Sequence, residues 1–235
     1  ERLGTIPEGV DIVFDLAAWG NLASQKASTR EIYQANLMRV IDSIDSLGDK
    51  RFIYVSTSAV MLPYQTPYSL SKKASEEFLR WSGKRVAIVR PGTVIGCGEQ
   101  EQHLIPTLIR SCLLSERIPF VGMPTHDYID VEDLVDALLI IRERGQFEGE
   151  IYEVGNGIPI SNFEVKEIVE KIIGKKANIY EVEQIRKYDI PNWKLDIKRI
   201  SSLDWKPKHT LEQTIQSMVD DYKSKHYEGL FERQR

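Results

Sequence analysis

The sequence predicts an α/β fold built on a parallel sheet, and two observations support this prediction. The run VDIVFDLAA, residues 10–18, is almost continuously apolar, which is typical of a strand covered on both faces. Similar short apolar runs then alternate with longer segments of helical periodicity. Strands that alternate with helices form right-handed βαβ crossovers, and such crossovers produce a parallel sheet.

The elements of this sheet follow in order. A helix is predicted over 28–47, because apolar side chains recur there near helical spacing and Gly48 provides a stop. The next three predicted elements are a strand over 51–56, a helix over 68–81 that Gly83 ends, and a strand over 85–90.

The regular alternation of strands and helices ends after Arg90, where a Pro- and Gly-containing loop begins a smaller, mixed lobe. The predicted elements of this part are a helix over 104–114, an extended segment over 119–122, a DYIDV segment that leads into a helix over 132–144, a strand over 150–154, a helix over 162–173 ended by Gly174, and an amphipathic terminal helix over 211–223.

Composition excludes several classes of protein. Thirty-one Lys and Arg against 35 Asp and Glu give a formal charge of -4, and no run of like charges indicates a nucleic-acid partner. No apolar stretch reaches the roughly 18 to 20 residues that span a bilayer, and no signal peptide is visible, so we expect a cytoplasmic protein. Cys97 and Cys112 lack metal-ligand spacing, and no metal site is predicted.

A pair of residues with chemical potential lies at the start of the helix over 68–81. Tyr68 and Lys72 are four residues apart, on one helical face, where the cation can lower the phenol pKa from its free value near 10. The hydroxyl cluster Ser56, Thr57 and Ser58 ends the preceding strand. These groups are therefore expected to meet at the carboxyl edge of the sheet, where such folds bind ligands.

Several motifs occur together in a family-specific order. They are DIVFDLAAWGN, YVSTSAVM, YSLSK, RPGTVIG, HDYIDVEDLVDALL and LDWKP. The chain resembles an extended short-chain dehydrogenase/reductase of the NAD-dependent epimerase/dehydratase family over nearly its whole length, and LDWKP is typical of nucleotide-sugar members. The resemblance implies a Rossmann-like doubly wound sheet with a smaller mixed α/β substrate lobe. We expect the dinucleotide-binding domain over 1–96 and mainly the substrate-binding lobe over 97–235, with residues of about 127–155 returning to the sheet.

The resemblance also implies roles for individual residues. Tyr68 would be the acid/base, Lys72 would hold the nicotinamide ribose and Thr57 would bind the substrate hydroxyl. Further cofactor contacts are expected at Leu16, Ala17, Ala18, Asn36, Val55, Ser56, Arg90, Pro91, Gly92 and Val94. Substrate contacts are expected at Trp19, Ser58, Thr93, His103, Leu104 and His126, although His126 could equally be a satisfied polar residue.

The chain departs from the family pattern at four places. Asp15 replaces a His, His103 an Asn, His126 an Arg, and Met61-Leu62 a Tyr-Gly pair. No glycine-rich phosphate loop precedes Val10. We therefore expect roughly 60 further residues, about two βα units, before this sequence in the intact protein, which an intact mass would test.

The resemblance implies an enzyme that uses NAD, with NADP not excluded. The first hypothesis is a nucleotide-sugar epimerase with a transient keto intermediate, and the second is an NAD(P)-dependent sugar or ketone reductase or dehydrogenase. A non-catalytic dinucleotide-binding scaffold is the third, and a dehydratase is disfavoured because Ser58 and Ala59 stand where dehydratases carry acids. By analogy with the family, a homodimer is expected.

Overall fold

The computed structural model describes residues 6–20, 28–182, 187, 190 and 192–231, with side chains described as far as Lys225. The strands are β1 Ile12–Asp15, β2 Arg51–Val55, β3 Val86–Pro91, β4 Thr93–Ile95, β5 Ile118–Phe120, β6 Thr125–Asp130, β7 Glu148–Val154, β8 Pro159–Ser161 and β9 Ile179–Glu181. The α-helices are α1 Thr29–Tyr33, α2 Arg39–Asp45, α3 Pro67–Trp81, α4 Leu104–Leu114, α5 Val131–Arg144, α6 Asn162–Ile173, α7 Lys198–Ser201 and α8 Leu211–Phe231. A π-helical turn, Gln34–Met38, joins α1 to α2, and a 3₁₀ helix spans Ser58–Met61.

The chain divides into two compact units. The first unit contains the described residues of 1–92, 134–154 and 195–206, and the second contains those of 93–133, 155–194 and 207–231. The predicted assignment of a dinucleotide-binding domain and a substrate lobe remains a prediction.

A four-stranded parallel sheet is the centre of the first unit. Its strand order is β1-β2-β3-β7 and each neighbouring pair is parallel, so the predicted parallel α/β architecture is confirmed. β2 and β3 are the most buried strands because each has a neighbour on both edges and apolar cover. Their core cluster is Phe52, Tyr54, Val86 and Ile88 together with Val40, Ile44, Leu47 and Leu79 from the helical side.

The second unit combines two small sheets with three helices. β4, β6 and β8 form one sheet, with β6 and β8 antiparallel, and β5 pairs with β9. Helices α4, α6 and α8 contribute to its apolar core. The helices over 104–114 and 162–173 were predicted with the bounds that the structure gives. A capping box between Ser161 and Glu164 starts α6, and Gly174, at a φ of 75°, ends it.

Several elements differ from the sequence prediction. The helix predicted over 28–47 is interrupted by the π-helical turn, and the strand predicted over 10–18 is only the four residues of β1. The terminal helix continues to Phe231. Strands β4, β8 and β9 were not predicted, since three-residue strands are too short for periodicity to identify.

None of the helices in the described part of the chain has the length and apolar content that crossing a bilayer requires.

Candidate active site

The first unit brings three loop segments to one edge of its sheet. β1, β2 and β3 are parallel, so their carboxyl ends lie at the same edge. Leu16–Trp19 follows β1, Ser56 and Thr57 follow β2, and Gly92 follows β3. Ligands of open parallel sheets bind at such an edge, and the helix that carries Tyr68 and Lys72 begins beside it.

Helix α3 starts in a way that fixes the position of Tyr68. Thr66 caps the helix through the Ser69 backbone N–H, while the Ser69 hydroxyl accepts from the Thr66 N–H at 2.9 Å. Pro67 occupies the first helical turn, where its missing N–H costs nothing. Tyr68 therefore lies in a rigid first turn, and Lys72 follows one turn later on the same face.

Lys72 is almost completely enclosed by protein. Its side chain is 1% exposed, its Nζ donates to the Val55 carbonyl at 2.7 Å, and the same atom lies 4.3 Å from the centre of the Tyr54 ring. Burial lowers the pKa of Lys72 to about 8. Val55 is one of the predicted cofactor contacts, and its carbonyl thus accepts a hydrogen bond from the lysine.

The pKa of Tyr68 is raised, not lowered as the sequence predicted. Burial disfavours the phenolate, and a hydrogen bond with Thr57 only partly opposes this effect. The ammonium of Lys72 is directed at Val55 and Tyr54, which explains why helical spacing alone did not depress the phenol pKa. Without a further positive charge, Tyr68 is protonated near neutral pH.

The hydroxyl cluster contains one half-buried and two buried side chains. Thr57 is half-buried, and its hydroxyl accepts from the Ala59 N–H at 3.2 Å at the start of the 3₁₀ helix. Ser56 is 4% exposed, and its Oγ has no hydrogen-bond partner among the described residues. Ser58 is 3% exposed because the 3₁₀ helix turns it inward, and its contact with a substrate remains a prediction.

Asn36 ties the loop after β1 to helix α3. Its Oδ1 accepts from the Trp19 N–H at 2.7 Å, and its Nδ2 donates to the Trp19 carbonyl at 3.0 Å and to the Ser71 hydroxyl at 2.9 Å. The side chain is completely buried and its hydrogen bonds are made within the protein, while the predicted direct cofactor contact remains a prediction. We therefore assign Asn36 as a positioning residue that acts through Trp19 and Ser71.

Replacing Asn36 with alanine is expected to lower the free energy of unfolding by about 2–3 kcal/mol, because buried polar partners lose their hydrogen bonds. Urea denaturation of Asn36→Ala measures this change. Gln34→Ala is the matched control, since Gln34 is exposed on the same π-helical turn. Equal losses in the two variants would contradict the assigned role.

The loop after β1 presents apolar groups to the outside of the protein. Leu16 is 62% and Trp19 56% exposed, and Ala17 and Ala18 are also exposed. The loop is nevertheless held at its backbone, since Ala17 donates to Asp15 and accepts from Arg39. It offers a fixed apolar surface at the sheet edge, consistent with the predicted ligand contacts.

Arg90 is engaged within the protein. Its guanidinium forms a two-pronged pair with Glu76, with Nε 3.0 Å from Oε1 and Nη2 2.6 Å from Oε2. The pair commits this side chain to α3, and the expected cofactor contact of the Arg90 segment remains a prediction. Pro91 is buried, and the Gly92 N–H donates to Val154 at 2.9 Å.

The other predicted site residues belong to the second unit. Thr93 and Val94 lie in β4, paired with Tyr128 and Ile129. His103 precedes α4 and its Nδ1 lies 3.0 Å from Glu99 Oε1. The remaining two are Leu104, which packs on the core of this unit, and His126, which contacts the rings of Tyr128 and Trp193. Their role in substrate binding remains a prediction.

One group of possible metal ligands occurs in the described part of the second unit. Ligand atoms of Asp130, Glu132 and His209 lie within 4.8 Å of one another. Thr214 donates to Asp130, and Asp133 pairs with His209, so these side chains satisfy one another. The expectation of a metal-free protein remains a prediction.

The residues at the sheet edge fit the nicotinamide end of NAD. Among the described residues, Val55 is the one hydrogen-bond acceptor of Lys72, so the ammonium has donors left for ribose hydroxyls. The unpartnered Ser56 Oγ and the exposed Leu16 and Trp19 add a polar and an apolar surface. The donor set is therefore suited to a sugar next to an aromatic ring.

The sequence prediction missed Tyr54, Ser71, Glu76 and the pair formed by Asp15 and Arg39. A charge inside the apolar run VFDLA was a usable signal, since a buried carboxylate requires a partner. The identity of that partner is not readable from the sequence, because Arg39 is 24 residues away along the chain.

Comparison with known proteins gives a consistent result. The model of the NAD dependent epimerase/dehydratase family matches residues 2–155. The chain is 25% identical to the low-salt glycan biosynthesis protein Agl12 of Haloferax volcanii, over 94% of this chain and 78% of that protein. It is 32% identical to a GDP-L-fucose synthase of Sinorhizobium fredii, over 87% of this chain and 76% of that one.

Solved structures share the fold. A UDP-glucuronic acid 4-epimerase from Bacillus cereus, in complex with UDP-4-deoxy-4-fluoro-glucuronic acid and NAD, superposes with a TM-score of 0.84 at 19% identity. The match covers 93% of this chain and 77% of that chain.

Proposed function

Since the chain belongs to the NAD-dependent epimerase/dehydratase family, as its motifs predicted, we propose that it is an epimerase that acts on a nucleotide sugar through a transient keto intermediate. The family consists of NAD-dependent enzymes. The observation that carries the proposal is the cluster of Thr57, Tyr68 and Lys72 at the carboxyl edge of the parallel sheet.

The chain's own residues would divide the work as follows. Tyr68 takes the proton from a sugar hydroxyl and later returns it, while Thr57 positions the same oxygen. Lys72 binds the ribose through the ammonium donors that the Val55 carbonyl leaves free. Bound NAD would supply reversible hydride transfer, with no net oxidation of the sugar. Orientation of the sugar ring decides which face receives the hydride.

The residues after Thr57 support the epimerase over a dehydratase. Ser58 and Ala59 begin the 3₁₀ helix, both are buried, and neither can act as an acid. A dehydratase needs acid and base groups here to remove water from the keto sugar.

A substrate panel tests the proposal. Purified full-length protein with NAD is incubated with UDP-glucose, UDP-glucuronic acid, dTDP-glucose and GDP-mannose, and the sugars are analysed by proton NMR. We expect one nucleotide sugar to form its epimer with no stoichiometric NADH. Loss of water from the sugar, or no conversion of any member of an extended panel, would contradict the proposal.

A reductase or dehydrogenase is the second candidate. It is favoured by the GDP-L-fucose synthase from Sinorhizobium fredii, to which the chain is 32% identical. The same panel, repeated with NADPH or NADH in place of NAD, separates the two, because a reductase consumes one reduced cofactor for each product formed, whereas an epimerase consumes none.

The phenol of Tyr68 gives a pH-dependent prediction. Its raised pKa means that the phenol stays protonated near neutral pH in the protein alone. Oxidised NAD carries a positive charge on its nicotinamide, and a positive charge beside Tyr68 lowers the phenol pKa. We therefore expect added NAD to move one tyrosine titration to lower pH, measured at 295 nm as wild type minus Tyr68→Phe. An unchanged difference titration at saturating NAD would contradict this placement.

The homodimer and the cytoplasmic location remain predictions. Met38 is 49%, Leu70 43% and Trp81 81% exposed on the helices of the first unit, which supports pairing between subunits. Sedimentation equilibrium of the purified protein tests the oligomeric state.

A further inference from the structure

A buried ion pair at the end of β1 has no role in the steps above. Asp15 is 5% exposed, and its Oδ1 lies 2.8 Å from Arg39 Nη1 and 3.1 Å from the Ala17 N–H. Its Oδ2 is buried without a hydrogen-bond partner among the described residues. A carboxylate that keeps one oxygen unpaired in a protein interior is costly, so its charge is expected to act on a neighbour.

The neighbour is identified by the sheet register. Asp15 on β1 is the direct partner of Tyr54 on β2, and paired residues of adjacent parallel strands project to the same face. The Lys72 ammonium lies over the ring of Tyr54. The carboxylate and the ammonium therefore both lie beside Tyr54, Asp15 as its strand partner and Lys72 over its ring.

Arg39 opposes the carboxylate from the other side. Besides Asp15, its guanidinium donates to the Ala17 carbonyl at 2.8 Å and to the Ala35 carbonyl at 3.0 Å. The charge of Asp15 raises the pKa of Lys72 and that of Arg39 lowers it, against the larger lowering by burial.

Other groups around Lys72 are accounted for. Glu76, one turn further along α3, also raises the pKa of the lysine, but Arg90 pairs with it. The phenols of Tyr54 and Tyr68 both have raised pKa values because they are buried, so both are neutral near pH 7. Asp15 and Arg39 therefore act on the Lys72 pKa with opposite signs. Both side chains also bind the backbone of Ala17, in the loop that is expected to contact the ligand.

We propose that Asp15 is the counter-charge that keeps Lys72 protonated, and that Arg39 sets how much of this charge the lysine experiences. Both are positioning residues, since neither needs to touch the substrate. The consequence for turnover rests on the proposed function, whereas the coupling of charges does not.

The coupling can be measured directly on the lysine. Full-length protein with ¹³C-labelled lysine is titrated by NMR without cofactor, and Lys72 is assigned by the loss of its signal in Lys72→Arg. In Asp15→Asn we expect the Lys72 midpoint to fall by roughly one pH unit, and in Arg39→Met to rise by roughly one. In the double variant we expect it within about half a unit of the wild type, because both charges are gone. Arg80→Met, which removes a more exposed arginine of α3, is the control and should leave the midpoint unchanged.

Shifts of opposite sign distinguish this role from a structural one. Both single variants break the same ion pair and loosen the same loop, so a purely structural effect would move the Lys72 midpoint in one direction. Shifts of equal sign, or no shift, would overturn the proposal. If thermal denaturation shows that Asp15→Asn does not fold, the rise in Arg39→Met and the return in the double variant decide it. Opposite shifts in a protein that converts no nucleotide sugar would leave the coupling intact and refute only the proposed function.

Discussion

Tyr68→Phe is expected to lower kcat for the converted nucleotide sugar by about 10²–10⁴-fold, the usual range for loss of a general acid/base. In the proposed mechanism the phenolate of Tyr68, next to Thr57, accepts the substrate proton, and phenylalanine keeps the ring and removes only the hydroxyl. KM is expected to change little, because the lost interaction belongs to the transition state.

Tyr64→Phe is the matched control, since Tyr64 is 43% exposed and lies before α3. Its kcat should remain within about twofold of the wild type, as surface changes rarely disturb the fold. A Tyr68→Phe protein with the turnover of the wild type would favour a role for this chain other than catalysis by Tyr68.

Glu76→Gln is expected to reduce the free energy of unfolding by about 3 kcal/mol, near the lower end of the range for breaking a buried ion pair. Glu76 is almost fully buried and holds both prongs of Arg90, so the substitution leaves a guanidinium without its counter-charge between α3 and β3. A value near the lower end is expected because the Arg90 side chain is 17% exposed, so that water can partly solvate its unpaired charge. Urea denaturation measures the change.

A control variant and a double replacement test whether the effect of Glu76→Gln comes from the buried ion pair. Glu77→Gln alters the neighbouring, exposed glutamate, whose pair with Arg80 is loose at 3.9 Å, and it should cost less than about 0.5 kcal/mol. Replacing both partners, as in Glu76→Leu with Arg90→Met, should be less destabilising than Glu76→Gln, since no unpaired charge is left. Equal stability of Glu76→Gln and Glu77→Gln would show that the pair contributes nothing.

Much of the fold was predictable because its signals are local. The apolar strands and the helices around them carry their own periodicity, and Gly174 and Ser161 mark the ends of α6 by their backbone and capping chemistry. The Tyr68 and Lys72 pair was found for the same reason, since four residues on a helix fix two side chains on one face. The motif order then predicted the family, which the family model confirmed.

The sequence by itself determined which residues alternate, where helices begin and end, and which functional groups reach the sheet edge. Only the tertiary structure decided what those groups contact. The Arg90 side chain pairs with Glu76, and the lysine expected to activate Tyr68 points to Val55 and Tyr54. Asp15 pairs with Arg39, which lies 24 residues further along the chain. The physical reason is that periodicity is a property of neighbours in the chain, whereas ion pairing and desolvation depend on groups that only folding brings together.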